Sequence, residues 1–169
     1  EILNLLLNAR YDINTKNQSA FTLSGTSSII MNFNILFRAL LMDDEDLVEF
    51  LLHRGADPNA TTLFMDGADS MRLRVLARGP YSRGNTTFTI TPLFLSLYCG
   101  SDAITEILLR FGADVHFQNS LGQTPLEFFM QLDWFDAGDR ATGGVNLLLN
   151  HGVDIFAQKH AADRRDRKS

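Results

Sequence analysis

The chain has 169 residues, 45% hydrophobic and 21% charged, which is the balance of a folded protein and not of a disordered one. Its formal charge of −5 argues against general nucleic-acid binding, which needs a basic face to displace counterions from phosphates. Cys99 is the only cysteine, which excludes an internal disulfide and a cysteine-based zinc site, and no apolar run approaches the roughly 20 residues of a membrane helix.

The chain opens inside an amphipathic pattern, Ile2, Leu3, Leu5, Leu6 and Leu7, so the sequence reads as an excerpt of a longer protein. After this helix come Arg10-Tyr11-Asp12, then a stretch from Lys16 to Met31 rich in Ser, Thr, Asn and Gly that reads as a surface loop. A first helix is expected from Asn34-Ile35-Leu36. The acidic run Asp43-Asp44-Glu45-Asp46 then caps a second helix and complements its dipole. That helix carries Leu47, Val48, Phe50, Leu51 and Leu52 at helical spacing. Gly55 ends it in the left-handed conformation, and Asp57 turns the chain into an extended finger.

Between residues 61 and 90 lies a long insertion. "SMRLRVLA", "RGPYSRGN" and "TTFTI" read as strand, turn and strand, a projecting hairpin. Arg72 and Arg74 alternate with Leu73 and Val75, placing basic side chains on one face. Such an edge suits either docking of an acidic segment or simple protection of the hairpin edge by charge.

From Thr91-Pro92-Leu93 the helical phrase returns. Threonine supplies an N-cap oxygen and proline takes the first helical position. A turn at Gly100-Ser101-Asp102 leads to a helix with Ile104, Ile107, Leu108 and Leu109, then Gly112 and Asp114. Thr124-Pro125-Leu126 starts a third pair, interrupted by "QLDWFDAGDRATGG" and completed by Val145, Leu147, Leu148, Leu149, Gly152 and Asp154. Trp134 continues the helical spacing of Met130 and reads as core, whereas Phe135 stays open between core and interface.

Four copies of helix, glycine or its substitute, Asp and finger make a repeat, and the T-P-L starts complete the pattern. This chain resembles the ankyrin repeat family. The repeated Asp recurs at intervals of 45, 57 and 40 residues, against a family period of about 33, so each interval carries an insertion. The fold implied is an all-α ankyrin-repeat solenoid of stacked helix pairs with β-hairpin fingers, one finger enlarged by an insertion. The array is expected over residues 1–158, with a partial repeat at 1–15 and repeats at 32–60, 90–117 and 122–157. Insertions lie near 16–31, 61–89 and 131–142, and residues 159–169 form a charged tail or linker. The family's two small alanines read Ala39-Leu40, Ser96-Leu97 and Phe129-Met130, which implies an irregular stack filled by aromatics. Its His after T-P-L reads Phe37, Phe94 and Glu127, losing a side-chain hydrogen bond that braces the loop.

No catalytic constellation emerges. His53 and His151 stand two residues and one residue before a glycine, where a cation suits the helix C-terminus. Cys99 has no neighbouring His and reads as a small, partly buried thiol. No cofactor, metal or small-molecule ligand is expected, and the chain reads as non-catalytic. The resemblance implies a protein-interaction module, with partner contacts carried over to Lys16, Gln18, Met42, Tyr98, Cys99, Gln118, Ser120, Leu121, Gln123 and Gln131. Arg72, Arg74 and Phe135 join them from the insertions, and Tyr98 is the expected anchor. The partner is another protein or another domain of the same chain, in an intracellular, cytoplasmic setting without nucleic acid or membrane. The alternative is a substrate-recognition or regulatory domain of a larger multidomain enzyme.

Overall fold

The computed structural model describes residues 12–18, 20–22, 29–66, 86–131 and 140–153. Among these, three helix pairs follow one another. They are α1 (Ile35–Leu41) with α2 (Glu45–His53), α3 (Pro92–Cys99) with α4 (Asp102–Arg110), and α5 (Pro125–Gln131) with α6 (Arg140–Asn150). Each pair packs on itself. In addition α1 packs on α3 and α3 on α5, forming one layer, while α2 packs on α4 and α4 on α6, forming the other.

Local chemistry explains most helix boundaries. Asn34 caps α1 by accepting from the Phe37 N–H at 3.3 Å, and Asp44 caps α2 by accepting from Leu47 at 3.0 Å. Thr124 and Glu127 form a reciprocal capping box on α5: the Thr124 N–H donates to Glu127 Oε2 at 2.8 Å and the Glu127 N–H to Thr124 Oγ1 at 3.3 Å. Glu127 therefore braces its loop, contrary to the loss expected from replacing histidine there. Thr91 corrects the opposite expectation. It occupies the N-cap position of α3 but makes no side-chain cap bond, and its Oγ1 is buried without a partner.

The outer helices end alike. Gly55, Gly112 and Gly152 adopt φ of 89°, 86° and 88°, and the residue after each donates back to the carbonyl of Leu51, Leu108 or Leu148. This is the left-handed stop expected from sequence. The turn between α3 and α4 uses Gly100 at φ 74°, whereas the turn between α1 and α2 puts Asp43 at φ 53°, a conformation more costly for a side-chain-bearing residue.

The all-α expectation needs correction, because four strands form one antiparallel sheet. They are β1 (Ala20–Thr22), β2 (Ile29–Met31), β3 (Thr62–Asp66) and β4 (Thr86–Ile90), in the order β1-β2-β3-β4. The stretch read as a surface loop thus contributes two strands. Its polar composition hid a short apolar run, Ile29-Ile30-Met31, whose pairing partner lies more than thirty residues onward. β4 lies where the sequence placed a strand, but it pairs with Thr62–Asp66. The strand expected at 70–77 lies outside the described residues, as do Arg72, Arg74, Trp134, Phe135, the opening helix and the tail.

The sheet has a core face. The cross-strand row Ile30, Phe64 and Phe88 is buried, while neighbours such as Leu63 and Thr89 are half-buried. Phe64 lies 5.2 Å from Phe88 and 5.3 Å from Tyr98 of α3, ring centre to ring centre, and Phe88 lies 6.0 Å from Phe128 of α5. Phe94 joins the cluster at 5.3 Å from Phe128. Aromatics fill the interior, as the departures from small residues imply. Tilted and edge-on pairs of this kind add about 0.5–1.5 kcal/mol each beyond area burial.

The last pair depends on close backbone approach. A Cβ on Gly144 of α6 would lie 2.8 Å from the Phe129 ring and 3.2 Å from Leu97, both buried, and one on Gly143 would collide with the Asp102 carboxylate. Gly144→Val should destabilise the protein, because overpacking costs about 1–3 kcal/mol and valine's better helix propensity returns only about 0.4 kcal/mol. Urea denaturation measures the loss; equal or raised stability would show that α6 does not seat as described.

Candidate partner-binding surface

The fingers are built on a repeated three-part turn. Asp12, Asp57 and Asp114 each accept from the N–H two residues on, that of Asn14, Asn59 and His116, at 2.8–2.9 Å. Asn14 then reaches the next finger, where its Nδ2 donates to the Gly55 carbonyl at 3.2 Å and its Oδ1 accepts from the Asp57 N–H at 2.8 Å. Asn59 repeats this on Gly112 and Asp114, at 3.1 and 2.7 Å. Successive fingers are thereby held in register. The bridging role of both asparagines went unread in the sequence, although their place two residues after a repeated Asp was visible.

The candidate residues separate into those on the surface and those used by the fold. Lys16 and Gln18 are exposed on the first finger, and Lys16 Nζ donates to Thr61 Oγ1 at 3.3 Å, just before β3. Gln118 and Ser120 are exposed on the third finger. Ser120 exchanges two bonds with Thr89: its N–H donates to Thr89 Oγ1 and its Oγ accepts from the Thr89 N–H, both at 3.1 Å. That finger therefore occupies part of the β4 edge. Gln123 is half-buried and accepts from Asn119 through both its Oε1 and its carbonyl, at 2.9 Å, while Leu121 is half-buried against the core. Gln131 is the last residue of α5. Met42 and Cys99 stand at equivalent ends of α1 and α3, each just before a positive-φ residue, and both are exposed, Met42 to 63%. Cys99, expected to be partly buried, is an exposed residue at the helix turn.

Tyr98 is the main correction. Expected as an aromatic anchor beside an open groove, it is 3% exposed and packs against Phe64 and Phe128. The row of Ile30, Phe64 and Phe88 on the sheet covers the face of α3 that the sequence offered to a partner. The strands thus pack against α3 and α5 through Phe64 and Phe88.

On the outer layer, Arg110 Nη2 pairs with Glu49 at 2.6 Å, and His53 lies 3.9 Å from the same carboxylate and edge-on to Phe111. These exposed contacts join α2 to α4, and such surface pairs contribute about 0–1 kcal/mol. Among the described residues no three His, Cys, Asp or Glu side chains converge on a common point, and no helix is long and apolar enough to cross a membrane.

The ankyrin repeat family model matches residues 32–63, which hold α1, α2 and the clamped second finger. The match falls on the unit whose start lacks Thr and Pro. A protein of Fowlpox virus (strain NVSL), FPV216, named as an ankyrin repeat protein, is 22% identical over 141 residues, covering 73% of this chain and 48% of the relative. The chain spans about half the length of that relative. Residues 32–63 thus match the ankyrin repeat, and the paired helices, left-handed glycine stops and tied fingers that follow repeat the same pattern.

Proposed function

We propose that this chain is a non-catalytic protein-interaction module whose contact surface is the rim around the sheet rather than the inner-helix groove. The observation that carries this reading is the burial of Tyr98 beneath Phe64, while Met42, Cys99, Lys16, Gln18, Gln118 and Ser120 are exposed. Ankyrin repeats generally serve protein–protein interaction. Met42 supplies an exposed apolar contact of the type enriched in interfaces, and the finger residues supply polar contacts around it. On this reading residues 1–158 form the array, residues 159–169 a charged tail, and the partner is an intracellular protein or a neighbouring domain.

The test begins with a partner captured on the immobilised chain and identified by mass spectrometry. The double variant Met42→Ala/Lys16→Ala should then weaken binding at least about tenfold in calorimetry, the scale of an interface residue worth more than 1 kcal/mol. Its melting temperature should stay within about 2–4 °C of the parent, since surface changes usually remain within 0.5 kcal/mol each. Full affinity in the double variant would refute the rim as the contact surface.

A second reading is favoured by the relative's greater length: the array serves as the recognition or regulatory part of a larger protein. Binding of the isolated chain to a separately expressed neighbouring domain would support that reading over an external partner.

A further inference from the structure

The sheet follows two side-chain patterns at once. Cross-strand pairing sorts its residues into the inward row of Ile30, Phe64 and Phe88 and two outward rows. One outward row runs Ala20, Met31, Leu63, Thr89, and the other Thr22, Ile29, Met65, Thr87. β4 alternates as a strand with one covered face does, with Phe88 and Ile90 buried and Thr87 and Thr89 outward. β2 and β3 do not. Their outward positions hold Ile29, Met31, Leu63 and Met65, so the two central strands are apolar on both sides. That is the composition of strands covered on both faces. Yet these four side chains are half-buried, and none belongs to the core that Phe64 and Tyr98 share.

We propose that the outward face of the sheet is a self-association surface, on which a second copy of this chain stacks its own sheet about a two-fold axis. Charge selects this occupant. The chain carries a formal charge of −5, and α2 and α4 expose Glu45, Asp46 and Glu106, so a second copy meets like charge on the outer helices. The outward positions of the described strands are apolar or hydroxyl-bearing, and none is acidic. Two copies meet there without that repulsion. Stacked sheets lie about 10 Å apart with their facing side chains interdigitated. Met31 and Met65 adapt their shape readily, which lets two identical surfaces interlock. A two-fold contact of one patch with itself is closed, and therefore gives a dimer and not a filament.

Sedimentation equilibrium on the whole chain tests this. The parent should pass from the mass of one chain to that of two as concentration rises. Leu63→Asp puts a carboxylate into the contact from both copies and should hold the chain monomeric over the same range. Leu63→Thr/Met65→Thr gives β3 the outward residues of β4 and retains β-branched strand propensity. It should weaken the dimer at least about tenfold, since apolar burial is lost on both copies, with the parent's circular dichroism unchanged. A parent that stays monomeric up to its solubility limit overturns the proposal. So does a dimer that survives Leu63→Asp in a folded variant, or one that Met42→Asp breaks instead, which would move the contact to the helix turns. A monomeric parent whose Leu63→Thr/Met65→Thr variant melts earlier would assign the face to a covering part of the same chain. Self-association is read without any partner, so its failure leaves the rim reading standing.

Discussion

Tyr98→Ala is expected to destabilise the whole protein by about 3–5 kcal/mol, the range for removing a large aromatic from a packed core. Tyr98 is 3% exposed and contacts Phe64 of the sheet and Phe128 of α5, so its ring is shared by three elements. Truncation leaves a void walled by rings that cannot collapse without moving a strand or a helix. Urea denaturation should show a lower midpoint with one transition retained, and Tyr98→Phe should keep most of the stability because the ring contacts survive. Unchanged stability in Tyr98→Ala, with loss only of partner binding, would restore Tyr98 as an exposed anchor and remove the case for the rim.

Phe64→Ala should cost a similar amount, about 3–5 kcal/mol, for a different structural reason. Phe64 lies at the centre of β3, fully buried, with Ile30 opposite on β2, Phe88 opposite on β4 and Tyr98 beneath. Were the sheet an appendage, loss of the Phe64 ring would melt it and leave the helices intact. Because the sheet shares its core with α3 and α5, fluorescence and far-ultraviolet circular dichroism should report a single coincident transition. Two separated transitions, with the helical signal unmoved, would contradict a common core. The double variant Phe64→Ala/Tyr98→Ala should lose less than the sum of the two single losses, since the variants remove one shared contact.

Much of the helical frame was legible residue by residue. A glycine just past an apolar run, an Asp after it and an Asp-rich helix start each decide a few backbone angles, and those decisions depend on nearby atoms alone. Gly55, Gly112, Gly152 and Asp44 adopt the conformations read from sequence. So does the strand Thr86–Ile90, whose alternation is intrinsic to it. Thr91 marks the limit of such reading. It starts its helix where expected, yet its hydroxyl is buried away from the amide it was expected to cap.

The candidate surface was legible only in part, because exposure is not a local property. Met42 and Cys99 could be placed at helix ends, but whether anything lay over them could not be read from their neighbours. Tyr98 has the spacing of a groove residue and lies under a sheet whose strands come from residues 20–31 and 62–90. Strand pairing joins segments distant in sequence, and a short polar-flanked run such as Ile29-Ile30-Met31 carries no sign of its partner. The sequence by itself determined the repeated helix pairs and their stops, because each is set within one or two turns of chain. Only the tertiary structure decided that β2 pairs with β3 and that the sheet buries Tyr98, because that choice rests on apolar rows meeting across the fold.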